Sequence, residues 1–201
     1  MYKKLFITLG CGLIILGLFG IAKAGLMPIK AIIGQHYLEA AWKDSLKSNK
    51  LSKPWKSADF YMIGELIVPK LKISRVILNS VSGEALAWSI GRVNNVGSSS
   101  SRGPIILAGH RDSHMQFMSK LNIGDKIELI MTDGVLKTYE ISNYVITDRP
   151  ELKTFTNEIK MDSLVLTTCW PFNSSRIGTK RYLLIANEYN ISLHKNMKFN
   201  L

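Results

Sequence analysis

Hydrophobic and polar positions divide the chain into three stretches with different patterns. The stretch from Leu5 to Ala22 holds no charged residue across 18 positions. Residues 28–50 place apolar side chains at helical spacing, among them Ile29, Ile33 and Trp42. From Ile63 onwards, short apolar runs are separated by turn residues, which is typical of β-strands. The pattern therefore predicts an apolar helix, a second helix and then a β domain.

The apolar stretch is long enough to cross a membrane. A helix of 18 residues is roughly 27 Å long, close to the ~30 Å hydrocarbon core of a bilayer. A cleaved signal peptide is the alternative, because Ala22-Lys23-Ala24 resembles a cleavage site, but its apolar core would normally span only about 7–15 residues. Lys3 and Lys4 favour an inside N-terminus, although Lys23 lies on the other side. We expect an uncleaved anchor with the body of the protein outside the cytoplasm.

The β domain contains eight candidate strands and one short helix at Met115–Leu121. Asp133-Gly134 is a typical hairpin turn between two of the strands. The strands are predicted at Gly64–Val68, Ser74–Leu78, Ala85–Ser89, Pro104–Gly109, Lys126–Met131, Leu136–Thr147, Ser163–Thr168 and Tyr182–Asn187. So many short strands in one domain favour a small closed barrel, because closure leaves no exposed edge.

These patterns predict four parts: a membrane anchor at 1–24, a helix and connector at 25–60, a β-barrel at 61–190 and a tail at 191–201. The net charge of +11 suits an anionic membrane face or an acidic partner. Nucleic-acid binding is not predicted, because the chain has no zinc-ligand spacing, aromatic platform motif or block of Arg and Lys.

Cysteine usage draws attention to one residue. The chain has two cysteines, and Cys11 lies inside the apolar stretch, so we expect no disulfide with Cys169. An exported domain with a single unpaired cysteine is unusual, because oxidation threatens the thiol there. Cys169 follows an apolar strand and precedes Trp170-Pro171, and proline cannot continue a strand ladder. The alternative is a small buried side chain with no chemical role.

Two further residues fall at strand ends. His110 follows the apolar run Ile105–Ala108, and Arg181 opens the last apolar strand, 12 residues after Cys169. Taken singly, each has a plain interpretation as a solvated histidine or a cation flanking a strand. His114, four residues further on, is expected at the surface. Neighbouring strands joined by the loop Trp170–Lys180 would bring Arg181 close to Cys169.

Together, the three residues supply the parts of thiol catalysis. An ordinary thiol is mostly protonated near neutral pH, so it needs a base, and imidazole can take the proton and return it to a leaving amine. A guanidinium can stabilise the oxyanion of a tetrahedral intermediate. Metal chemistry is poorly supported, because no second cluster accompanies His110, Asp112 and His114, and we predict no metal and no cofactor.

The order of the residues separates families of thiol enzymes. In papain-like peptidases the cysteine precedes the histidine, whereas here His110 comes first. The L,D-transpeptidases share the observed order, but their cysteine usually follows a glycine, and Thr168 occupies that place here. An L,D-transpeptidase-like enzyme of the cell wall stays an alternative.

The segment Leu166–Cys169 resembles the TLxTC signature of sortases, with Val165-Leu166 where its first Thr-Leu would lie. His110 and Arg181 match the other two members of the sortase His-Cys-Arg set in order and strand context. The likeness covers residues 30–188 and is closest to the class GN sortases of Gram-negative bacteria. It rests on Ala40-Ala41-Trp42, Pro54-Trp55 with Ala58-Asp59, GHRDSHMQFMSKL from Gly109, and TTCWPF from Thr167.

This resemblance implies an all-β, closed eight-stranded sortase barrel with short helices, preceded by a transmembrane helix and a further helix. It implies a single-pass protein of the cytoplasmic (inner) membrane, with the catalytic domain on the periplasmic side. Its partners would be an exported protein with a C-terminal, LPxTG-like sorting motif and an amine acceptor from the cell wall or a protein. The site would consist of Cys169, His110 and Arg181, with Thr168 and Trp170 contacting the substrate. A cysteine endopeptidase without transfer and a non-catalytic binding module are the alternatives.

Overall fold

The computed structural model describes residues 2–48, 50–93, 103–148, 159–174 and 178–189. The predicted tail at 191–201 lies outside these residues. The chain divides into two compact units, Met1–Tyr37 and Leu38–Leu201.

One helix, α1 (Tyr2–Ser48), contains both helices predicted from the sequence. Its segment Tyr2–Ile21 has a mean hydropathy of 2.2, and none of it is buried within the described structure. Its length and apolar composition are sufficient to cross a bilayer once, as expected for a membrane anchor.

The second unit contains the β-barrel. Within the described residues, eight strands close in the order β1-β2-β3-β4-β7-β8-β6-β5, which confirms the predicted eight-stranded barrel. The strands are β1 (Met62–Val68), β2 (Ile73–Leu78), β3 (Ile90–Arg92), β4 (Ile105–Ala108), β5 (Lys126–Met131), β6 (Leu136–Thr147), β7 (Ser163–Trp170) and β8 (Lys180–Glu188). Short 3₁₀ helices lie at Pro69–Leu71 and Gln116–Lys120, the latter inside the predicted helix Met115–Leu121.

The predicted strand at Ala85–Ser89 is wrong, because Gly83–Trp88 forms a short helix, α2. The Ser82 side chain caps this helix by accepting a hydrogen bond of 3.1 Å from the backbone N–H of Ala85. Glu84 lies in the first turn, where a negative charge suits the helix dipole. A short apolar run alone does not distinguish a helix from a buried strand. Here the Ser82 cap favours the helix.

Alternation along β7 and β8 separates two apolar clusters. Leu164, Leu166 and Leu184 belong to the main core of the barrel. Val165 and Leu183 point to the other side of the sheet, where they form a smaller cluster with Ile106 from β4. Cys169 shares the alternation of Val165, so β7 presents the thiol on the outer face of the sheet.

The end of α1 covers another part of the barrel. Leu38, Ala41 and Trp42 are buried against a cluster that includes Phe60 and Met62. The indole N–H of Trp42 donates a hydrogen bond of 2.9 Å to the carboxylate of Glu65 in β1. The last turns of α1 are therefore part of the folded barrel unit.

Candidate active site

Strand pairing brings Cys169 and Arg181 together. β7 and β8 are antiparallel, and Cys169 lies directly opposite Arg181 in their register. The Nη1 of Arg181 is 2.7 Å from the Sγ of Cys169. Cys169 is half-buried and Arg181 is exposed. A guanidinium at this distance can stabilise negative charge on the sulfur, or on an oxygen that forms beside it.

The neighbouring strand brings the backbone of His110 to the same end of the sheet. β4 and β7 run parallel, with Ala108 opposite Thr167 in their register. The backbone N–H of Gly109 donates to the Thr167 carbonyl at 3.4 Å, which extends this contact beyond the strand. β4 ends at Ala108, two residues before His110, so the chain enters His110 at the end of the sheet where β7 carries Cys169. His110 is exposed, as a group that exchanges protons with a substrate requires.

Thr168, predicted to contact substrate, makes an internal contact in this structure. Its side chain is 2% exposed, and its hydroxyl donates a hydrogen bond of 2.7 Å to the carbonyl of Gly109. This bond fixes the end of β4 against β7, one residue before His110. A direct contact between Thr168 and substrate stays a prediction.

Trp170 belongs to an aromatic cluster that the sequence analysis did not identify. Its ring stacks on that of Tyr182, with 5.7 Å between the ring centroids, and Phe172 packs edge-on against both rings. Tyr144 also stacks on Tyr182, with 5.8 Å between the ring centroids. Burial raises the pKa of Tyr182, with a smaller contribution from Tyr144, so the Tyr182 phenol stays neutral.

These four rings line an open cavity of about 780 Å³. Trp170 and Tyr182 alternate with Cys169 and Arg181 along their strands, so the cavity lies on the opposite side of the sheet from the thiol. The rings come from positions 144, 170, 172 and 182, and no sequence spacing links them. Only the pairing of β6, β7 and β8 brings them together.

Arg111 is a second residue that the sequence analysis missed. It follows His110 directly, yet it is only 8% exposed. Its guanidinium donates to the carbonyls of Pro171 and Ser174, in the segment that follows Cys169. The available signal was a charged residue directly after an apolar strand, but its partners lie about 60 residues further along the chain.

His114, expected at the surface, is half-buried. One ring nitrogen lies 3.2 Å from the carbonyl of Ala87 in α2. Burial is the largest cause and lowers the pKa of His114, the contact with the Ala87 carbonyl raises it, and the positive charge of Arg75 lowers it again. Among the residues that the structure describes, no three His, Cys, Asp or Glu side chains are grouped as a metal site.

Comparison with known proteins identifies the family. A family model described as the Sortase domain matches residues 66–189. Sortase D of Bacillus subtilis is 28% identical over 142 residues, which cover 71% of each chain.

Two solved structures have the same fold. A sortase D5 transpeptidase of Clostridium perfringens has a TM-score of 0.57 and 20% identity, over 79% of this chain and 99% of that one. A Clostridium perfringens sortase C, solved with the C-terminal cell wall sorting motif, has a TM-score of 0.54 and 18% identity, over 81% and 90%. With a family model that covers most of the chain and a barrel that matches in fold, this protein belongs to the sortase family of cysteine transpeptidases.

Proposed function

We propose that this protein is a membrane-anchored transpeptidase that cleaves a C-terminal, LPxTG-like sorting motif of exported proteins and transfers the acyl group to an amine. The observation that carries the proposal is the distance of 2.7 Å between Arg181 Nη1 and Cys169 Sγ on paired strands. The sortase C solved with a cell wall sorting motif supports this substrate class. The acceptor amine belongs to the cell wall or to another protein.

The reaction proceeds in two halves. The Cys169 thiolate forms a bond to the carbonyl carbon of the scissile peptide, and Arg181 donates hydrogen bonds to the oxyanion. The C–N bond then breaks, His110 protonates the departing amine, and a thioester stays on Cys169. In the second half, the acceptor amine attacks the thioester carbonyl, gives a proton to His110 and releases the thiolate. Water in place of the amine gives slow hydrolysis.

The surroundings of the site complete the proposal. The segment Tyr2–Ile21 crosses the cytoplasmic membrane once, with Lys3 and Lys4 inside and the barrel on the periplasmic side. Residues 171–174, which follow Cys169, border the groove that receives the sorting peptide, and Thr168 and Trp170 support this region from behind through Gly109 and Tyr182. Assignment to the class GN sortases belongs to the same proposal, and it rests on the motifs quoted above.

The test uses the full chain in detergent, a labelled sorting peptide and an added amine. We expect wild type to form the peptide–amine product, the Cys169→Ala variant to form none, and Cys11→Ala to match wild type. Cys11 is the matched control because it is the second free cysteine and lies in the apolar helix. Cleavage by Cys169→Ala would end the proposal. Hydrolysis at the same rate with and without amine would indicate a cysteine endopeptidase instead.

A further inference from the structure

We propose that Arg111 is a positioning residue that holds the segment after Cys169 in the conformation that receives the sorting peptide. This inference rests on the proposed function, because the segment matters only if it borders the substrate. Arg111 acts through the backbone of residues 171–174, because its guanidinium donates to two carbonyl groups there.

The guanidinium of Arg111 spans two carbonyl groups of this segment. Nη1 lies 2.8 Å from the oxygen of Pro171, and Nη2 lies 2.5 Å from the oxygen of Ser174. A guanidinium is planar and directs its N–H groups along fixed lines, so two bonds from one side chain fix both distance and orientation. Lysine carries a single ammonium group and does not reproduce this bridge.

The ion pair with Asp112 does not account for the burial of Arg111. Nε of Arg111 lies 3.1 Å from the Asp112 carboxylate, but that carboxylate is 67% exposed. Exposed partners contribute little, because water screens the pair. A cation that is only 8% exposed needs partners where it is buried, and the carbonyls of Pro171 and Ser174 supply them.

Gly178 closes the other end of the same loop. A Cβ at this position would lie 1.8 Å from the carbonyl oxygen of Trp170 and 3.5 Å from Nη1 of Arg111. The backbone at Gly178 therefore lies against both Trp170 and the guanidinium. Both ends of the loop between β7 and β8 meet at Arg111.

This geometry links the two strands that carry the proposed acid and nucleophile. Arg111 follows His110 in the chain, and its side chain holds the segment that starts two residues after Cys169. An error of about 1 Å in substrate placement can reduce a rate about a hundredfold. Loss of the bridge should therefore weaken turnover of the sorting peptide without removing the thiol or its partners.

The test compares Arg111→Gln and Arg111→Lys with Asp112→Asn, a matched control that removes the exposed ion pair and keeps both carbonyl bonds. The measurements are hydrogen exchange of the amides in residues 170–174, kcat and KM for a sorting peptide, and alkylation of Cys169 by a small neutral reagent. For Arg111→Gln we expect exchange in this segment to rise at least tenfold and kcat/KM to fall about a hundredfold, mainly through kcat. Arg111→Lys should lie between Arg111→Gln and wild type, and Asp112→Asn should match wild type.

Each outcome has a separate meaning. Unchanged exchange in a folded Arg111→Gln, or faster exchange with unchanged kcat/KM, overturns the role of Arg111. Alkylation of Cys169 that slows as much as kcat/KM overturns it too, because Arg111 would then act on the thiol. A wild type that is inert toward every sorting peptide overturns the proposed function, and with it the substrate part of this inference. The exchange measurement would still decide whether Arg111 holds the segment.

Discussion

Two neighbouring threonines in β7 have opposite surroundings. Thr167 is 5% exposed, and its hydroxyl has no hydrogen-bond partner in the part of the chain that the structure describes. Thr168 donates its hydroxyl hydrogen bond to Gly109. A buried hydroxyl without a partner costs about 1–3 kcal/mol, whereas a satisfied hydrogen bond contributes about 1 kcal/mol.

Valine has nearly the shape of threonine without the hydroxyl, so the two substitutions should act in opposite directions. We expect Thr167→Val to raise the free energy of unfolding by about 1 kcal/mol or more, and Thr168→Val to lower it by about 1 kcal/mol. Urea unfolding monitored by tryptophan fluorescence measures both values. Equal effects of the two substitutions would contradict the different roles assigned to the hydroxyls.

Arg181 is the residue on which the proposed oxyanion site depends. We expect Arg181→Ala to lower kcat by roughly a hundred- to thousandfold, because it removes the donor beside the thiol. Lys180→Ala is the matched control, since Lys180 precedes Arg181 and forms an exposed ion pair with Asp148 at 3.5 Å. Single-turnover acylation by a sorting peptide measures the effect. A twofold or smaller loss in Arg181→Ala would remove Arg181 from the mechanism.

At the scale of elements, the predicted boundaries were most accurate where local chemistry sets them. The bounds of β5 and β6 agree with prediction, because Asp133-Gly134 forms the turn between them and Gly134 has a φ of 74°. The strand predicted at Ala85–Ser89 was wrong. The apolar pattern does not show the hydrogen bond from the Ala85 N–H to the Ser82 side chain, which caps the helix Gly83–Trp88.

The candidate site divides in the same way. Cys169 and Arg181 could be located because strand ends are visible in the sequence, and pairing then places them face to face. Arg111 could not, because its role depends on carbonyl groups that only the fold brings to it. Sequence patterns report which side chains are apolar, but they do not report where a backbone carbonyl points.

His114 connects the turn after β4 with α2, and this contact predicts a pH dependence. Burial lowers the pKa of His114 in the folded protein, whereas the unfolded chain has the ordinary value of about 6.5. The unfolded state therefore binds the proton more readily, and the stability present above pH 6.5 is lost as the pH falls below it. The contact with the Ala87 carbonyl opposes this lowering of the pKa, whereas the positive charge of Arg75 and a proton on His110 act in the same direction as burial.

We expect the His114→Gln variant to lose less stability than wild type between pH 7 and pH 5. Glutamine keeps an N–H that can reach the carbonyl of Ala87 and does not titrate in this range. His36→Gln is the control, since His36 is exposed in the first unit. Urea unfolding at the two pH values gives the difference. The same loss in His114→Gln and wild type would contradict the assignment.

At the scale of the whole molecule, the helix α1 belongs to both units and has a different role in each. The segment Tyr2–Ile21 has the length and composition of a membrane span, whereas Leu38 and Trp42 belong to the core of the barrel unit. The boundary at residue 37 therefore separates the proposed anchoring from the fold. A truncated chain that begins after the end of α1, at residue 49, would lack Leu38 and Trp42 and therefore part of that core.

This division predicts that residues 38–201 fold without the preceding segment and that residues 49–201 are much less stable. Loss of Leu38 and Trp42 uncovers Phe60 and Met62, and each large apolar side chain that stays buried contributes about 1.5–3 kcal/mol. We expect residues 38–201 to be monodisperse without detergent and to unfold at the temperature of the full chain. Residues 49–201 should unfold at least 10 °C lower or aggregate, because several such contacts are lost together. Calorimetry of both truncations decides, and equal unfolding temperatures would show that the end of α1 adds nothing to the barrel.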